Sequence, residues 1–213
     1  ISSLARGHGV DHVVDVELEV GALERDRNAV DAASSLEARV VDGLDGEGVW
    51  EECVRPGDKT NFDATTMPLQ LVRTNSTTFT LSQVAWEGAQ VGNTDPDGTN
   101  PQASFVGKTI NKMVFFRNRL VMLSDENVIM SRPGNFFNFW AKTAQTFSNV
   151  DPIDLSCSST YPAIVFDAIQ VNTGLVIFTK NQQFMLTTDS DILNPNTAKI
   201  NRLSSYNFNF KTN

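Results

Sequence analysis

The sequence predicts an all-β protein made of short antiparallel meanders, as a sandwich, a barrel or a propeller requires, and part of a β-propeller-like domain is the reading taken. Three observations carry this. In the densest apolar stretch, residues 113–140, each apolar run is only a few residues long, too short for a helix. The runs are separated by tight turns rich in Asn, Asp, Pro and Gly, which supply local side-chain hydrogen bonds, a fixed φ or access to positive φ. A second group, residues 164–187, repeats the pattern of apolar run, short polar turn and apolar run.

Taken in order, residues 49–54 are short and extended and end at Arg55-Pro56-Gly57-Asp58. Residues 69–73 and 77–82 alternate and hold β-branched residues, as strands do, and Val84-Ala85-Trp86 closes that group. Residues 92–101 form a Gly, Asn, Thr, Asp and Pro loop, and 105–113 lead into the central meander. There the runs 113–116, 120–123 and 128–130 are joined by turns at Arg117-Asn118 and at Ser124-Asp125-Glu126-Asn127. A further turn at Arg132-Pro133-Gly134-Asn135 precedes Phe136, Phe137, Phe139 and Trp140. Residues 142–149 read as a polar connector and Asp151-Pro152-Ile153-Asp154 as a turn with a short apolar insert. The second meander comprises 164–171, 175–178 and 183–187, with turns at Asn172-Thr173-Gly174 and Lys180-Asn181. At the end, Tyr206, Phe208 and Phe210 alternate with Asn207 and Asn209, so 203–210 read as a last amphipathic strand and a sheet edge.

The chain divides into 1–48 and 49–213. The first part has no Phe, Trp or Tyr, whereas all 14 Phe and all three Trp lie in the second. Within it, Val14, Val16, Leu18 and Val20 alternate with Asp15, Glu17 and Glu19, a half-buried strand pattern, and 22–41 suit a helix. A segment without aromatic residues buries only a thin core. Three readings stay open: a small αβ subdomain, a solvated acidic linker, or translation in a wrong frame joined to a genuine gene. The chain starts at Ile1 rather than Met, which suits a fragment.

Charge follows the same division. Residues 1–48 hold eleven acids against four arginines, a net of −7, while 49–213 hold 14 acids and 13 bases, a net of −1. The second part therefore lacks the basic footprint of a nucleic-acid binder. No apolar run approaches the ~20 residues that a membrane-spanning helix needs.

Candidate chemistry is sparse. His8 and His12 have the i, i+4 spacing of metal ligands, but Gly7 and Gly9 weaken a helix there and no third ligand is in register. Asn93, Asp95 and Asp97 with Gly98 resemble the start of a calcium loop, yet Ser104 stands where the closing Glu belongs, and a Pro-Asp-Gly surface turn explains the same residues. The acid pairs Asp151/Asp154 and Asp189/Asp191 are compatible with sugar chemistry, and equally with solvated turn caps. Arg117, Arg119 and Arg132 with Lys108 and Lys112 make a locally basic stretch, read as solvated hairpin-end charge. Asn75-Ser76-Thr77 fits an N-glycosylation acceptor. Cys53 and Cys157 have no metal-ligand spacing and read as thiols, with a disulfide left open. No catalytic, cofactor or metal residue is assigned.

Several blocks, in order and spacing through 49–213, resemble the tail tubular protein B family, the nozzle proteins of short-tailed bacteriophages. They are Val49-Trp50-Glu51-Glu52-Cys53, Phe62-Asp63-Ala64-Thr65-Thr66-Met67-Pro68 and Leu71-Val72-Arg73. Next come Asn100-Pro101, Ser104-Phe105-Val106-Gly107 and Phe115-Phe116-Arg117-Asn118-Arg119-Leu120. The most specific are Leu123-Ser124 through Glu126-Asn127-Val128 to Met130-Ser131-Arg132, then Phe136-Phe137-Asn138-Phe139 and Asp151-Pro152-Ile153-Asp154. The pattern departs in 87–93, where Ala89, Gln90 and Asn93 replace the expected Arg and Gly-Asp.

The resemblance implies a non-enzymatic virion protein, made in the host cytoplasm and placed in the phage tail, with 49–213 an internal part of a longer chain. It implies a hexameric ring (a homo-oligomer) below the tail adaptor protein, tail tubular protein A. Docking surfaces for tail fibres and transient passage of double-stranded DNA are implied as well. The alternative is a carbohydrate-binding or polysaccharide-degrading tail β module, which would show an acid pair in a cleft and exposed Trp50, Trp86 or Trp140.

Overall fold

The computed structural model describes residues 38–42, 48–160, 162–189 and 192–207. Among these there are twelve strands and no helix. Two hairpins come first: β1 (Ala38–Asp42) with β2 (Gly48–Glu52), and β3 (Leu69–Arg73) with β4 (Phe79–Gln83). Then come two four-stranded antiparallel meanders. The central sheet holds β5 (Ile110–Phe116), β6 (Arg119–Ser124), β7 (Asn127–Met130) and β8 (Ile153–Ser156), in that order. The outer sheet holds β9 (Val165–Val171), β10 (Gly174–Thr179), β11 (Gln183–Thr188) and β12 (Ala198–Ser204), likewise in chain order.

Turn chemistry fixes the registers. Phe116 pairs with Arg119 across Arg117 (φ 45°) and Asn118 (φ 60°). Positive φ at both central residues is the signature of the hairpin turn whose twist matches that of the flanking strands. Arginine rarely adopts this conformation; here the Arg117 guanidinium lies 5.7 Å from the Phe116 ring centroid. Ser124 pairs with Asn127 across Asp125 (φ 47°) and Glu126. At the start of β10, a Cβ on Gly174 would collide with the Leu186 carbonyl of the neighbouring strand, so the close approach of backbone requires glycine.

The period-2 alternation of β6 splits its side chains between two cores. Val121 and Leu123, with Val128, Met130 and Ile153, pack against Val165, Leu175, Ile177, Phe184 and Leu186 of the outer sheet. Leu120, Met122 and Ile129 point the other way, onto Met67, Ala103, Phe105 and Phe139. All six residues of β6 are buried. The central sheet is thus the middle layer, between the outer sheet on one face and a layer of loops and aromatic rings on the other.

Three expectations need correction. Residues 153–156 are not turn: Met130 pairs with Ile153 and Val128 with Leu155, so β8 completes the central sheet. The hydrogen bonds offered by β7 outweigh the local turn chemistry of Asp151-Pro152, and Pro152 stands just before the strand, where its missing N–H costs no ladder bond. Among the described residues the last strand is 198–204, which overlaps the anticipated 203–210 only at its end; Tyr206 is exposed outside it, and Phe208 and Phe210 lie outside the described residues. Where 22–41 was expected to be helical, its described end enters β1, paired to β2. The strand pattern of 14–20 and His8 and His12 also lie outside the described residues.

Candidate assembly surface

The layer that covers the central sheet is tied down by carboxylates and rings. Glu87 accepts from Asn135 Nδ2 (2.7 Å) and Asn138 Nδ2 (2.6 Å), and its carbonyl accepts from Trp140 Nε1 (2.9 Å). Glu52 accepts from the Thr143 hydroxyl (2.8 Å) and the Ala144 amide (3.1 Å). Asp58 accepts from the Thr94 amide (2.8 Å) and from Arg55 (2.6 Å), which also reaches Asp95 (2.6 Å). The Thr94 amide, with Arg55 adding to it, holds the Asp58 carboxyl below the usual carboxylate range. Phe62 stacks on Trp140 with centroids 5.1 Å apart, and Phe105 meets Phe139 edge-on at 5.2 Å.

From this anchored layer the β3–β4 hairpin projects. Leu71 pairs with Leu81, Arg73 with Phe79 and Leu69 with Gln83, which puts Leu69, Leu71, Phe79 and Leu81 on one face. That face is open: Leu71 is 65% and Leu81 62% exposed. The other face is more polar, with Gln70 Nε2 donating to Ser82 Oγ (3.1 Å). Asn75 closes the tip by accepting from the amides of Thr77 (3.0 Å) and Thr78 (2.9 Å), so the side chain of the glycosylation-like motif serves its own turn. The sequence marked both strands, but nothing in it signalled that their apolar face is uncovered.

Next to the base of this arm lies a cleft of about 610 Å³. Phe62, Met67, Phe105 and Ile110, all belonging to the second core, form its floor. Its rim carries Asp63, Lys108 and Asp125, with Lys108 Nζ 3.3 Å from Asp125. The Thr65 hydroxyl and amide hold the Asp63 carboxyl below its usual range.

The basic stretch does not stay together. Arg119, read as solvated, is 1% exposed. Its Nη1 donates to the carbonyls of Ser131 (2.8 Å) and Asp151 (2.7 Å), and its Nη2 to those of Asn149 and Leu193 (both 3.2 Å). The guanidinium thereby joins the central sheet, the end of the 142–149 connector with Asp151, and the loop before β12. Burial pulls it down to about 10, against the pull of Asp151. A fixed fork of five donors suits four converging carbonyls, where an ammonium would not. Lys112 pairs instead with Asp167 (3.2 Å).

The acid pairs are similarly committed. Asp151 accepts from the amides of Lys142 (2.9 Å) and Ser148 (2.7 Å); Asp154 accepts from the Ser104 amide (2.8 Å) and Asn127 Nδ2 (3.1 Å). Asp189 pairs with Lys199, and Asp191 lies outside the described residues. In the calcium-like loop, Asn93 Oδ1 accepts from the Asp95 amide (2.8 Å), and Arg55 takes the Asp95 carboxylate. Among the described residues no group of three or more His, Cys, Asp or Glu is placed to hold a metal. Trp140 is buried and Trp86 packs on Phe137 at 5.5 Å, so neither offers an open sugar platform. Cys157 is buried, and that burial, with Glu126 nearby, pushes its thiol up to about 12.

Residues 38–213 match the family described as bacteriophage nozzle protein, starting upstream of Val49 and including the β1–β2 hairpin. The chain is also similar to tail tubular protein gp12 of Escherichia phage T7, 35% identical over 158 residues. That alignment covers 74% of this chain and 19% of the relative, so the chain spans about one fifth of the length of the protein it matches.

Proposed function

This chain belongs to the bacteriophage nozzle protein family, and on that premise we propose that it forms part of the wall of a tail nozzle, a ring through which double-stranded DNA passes. The observation that carries the reading is the family match across 38–213, reinforced by the T7 relative named as a tail tubular protein. The architecture suits such a role. A central sheet whose inner strands β6 and β7 are buried on both faces makes a stiff wall, and two successive four-stranded meanders packed face to face are what adjacent blades of a propeller require. Charge suits it as well. Residues 49–213 hold 14 acids against 13 bases, and Lys108, Lys112 and Lys199 each face a carboxylate while Arg119 is buried, so no excess of cations is offered to passing phosphates.

In this reading the protein is structural rather than catalytic. It is made in the host cytoplasm, assembles as a hexamer below the tail adaptor protein, and presents outer surfaces to tail fibres. The two divisions of the chain, 1–48 and 49–213, then differ in role, with the nozzle function resting on the second and on the end of the first that the family match and the β1–β2 hairpin include. The test is assembly. The protein at its natural length, purified and mixed with the adaptor, should give six-fold rings by electron microscopy and a hexamer mass by sedimentation. A protein that stays monomeric with the adaptor present refutes the reading.

A further inference from the structure

The arm β3–β4 exposes a four-residue apolar face and carries a single charge, Arg73, beside Phe79. A two-stranded sheet with an open apolar face is at best marginally stable in water, so the face calls for a cover. The nearby cleft has the converse character: an apolar floor and a rim of two carboxylates against one ammonium. We propose that the arm of one copy seats in the cleft of a neighbouring copy, with Phe79 and Leu81 on the floor and Arg73 toward Asp63 and Asp125. This rests on the ring reading above.

The occupant follows from geometry and charge. The arm begins at Leu69, two residues after Met67 of the cleft floor. At about 3.4 Å per residue, its Arg73–Phe79 end stands roughly 14 Å from its base. Phe79 is accordingly 57% exposed and does not fill the cleft of its own chain. The arm bears a net positive charge and the rim a net negative one, so the two patches attract. A cleft of this volume is in the range that admits large side chains. Arm and cleft are different patches, so the contact is heterologous, and such contacts close into rings when the rotation between copies permits. The arm's face is smaller than the ~800 Å² per partner of a standard interface, so it sets the order and angle of copies while other surfaces share the binding.

The test uses two cysteine variants of the protein at its natural length, Phe79→Cys and Val106→Cys, each at an exposed position, the second lining the cleft. Rings assembled from a mixture of the two should form a disulfide between copies under mild oxidation, and neither variant alone should. Leu71→Asp combined with Phe79→Asp should raise the concentration for half-assembly about tenfold or more, with the monomer's thermal midpoint unchanged. Rings that form without the mixed disulfide, or that tolerate the double aspartate, overturn the arm-in-cleft contact and leave the ring reading standing. A monomeric parent protein overturns both. In a third variant carrying both Phe79→Cys and Val106→Cys, a disulfide formed within one chain would place the arm in its own cleft and also overturn the proposal.

Discussion

The β6–β7 hairpin and the β3–β4 hairpin are both short antiparallel pairs, yet one is the middle of the molecule and the other stands clear of it. The strands of the second alternate and those of the first are continuous apolar runs, but both pair antiparallel and both are joined by polar turns. In the first, every residue of β6 is buried, because the outer sheet covers one face and the aromatic loop layer covers the other. In the second, Leu71 and Leu81 pair with each other and meet solvent. The contrast shows that strand formation and strand coverage have separate causes. Local alternation and turn chemistry make the strand, whereas burial depends on elements distant in sequence.

The strongest way to break this comparison is at Arg119. Arg119→Ala would leave four carbonyls without their donor, at a cost of about 3–5 kcal/mol, read as a lower urea midpoint at constant slope. Arg73→Ala in the arm should leave the midpoint nearly unchanged. A small loss at Arg119 would mean that the central sheet is no more dependent on its neighbours than the arm. Next in size is a matched pair of truncations. Leu123→Ala should cost about 2–4 kcal/mol, and Leu71→Ala in the monomer less than about 0.5 kcal/mol.

Acid should separate the regions too. Asp58 and Asp63 titrate lower when folded than when unfolded, so their contribution is complete above about pH 4 and is lost as pH falls through the folded values. Hydrogen exchange should therefore rise in 51–67 before it rises in β6, and Asp58→Asn should flatten the acid limb of the thermal midpoint. Equal acid sensitivity in both regions would contradict this. The smallest effect is expected at Trp86, whose Nε1 is buried without a partner. Trp86→Phe removes that orphan donor while keeping a ring against Phe137 and Phe139, so calorimetry should give a change within about 0.5 kcal/mol.

The sequence by itself determined the strands at 69–73 and 113–130, the tight turns at Arg117-Asn118 and Asp125-Glu126, and the family. These follow from φ preferences, alternation and the order of short motifs, all of which act over a few residues. Only the tertiary structure decided the rest. Residues 153–156 became a strand because β7 offered hydrogen bonds that no local pattern announces. The edge strand 198–204 was obscured by Lys199, Asn201 and Arg202, the polar residues that keep an edge soluble. Arg119 looked like one surface cation among several, since the carbonyls that bury it come from residues 131, 149, 151 and 193. Whether an apolar face is covered is likewise a long-range fact: Leu71 and Leu123 read alike in the chain, and only folding puts an outer sheet over one and leaves the other open.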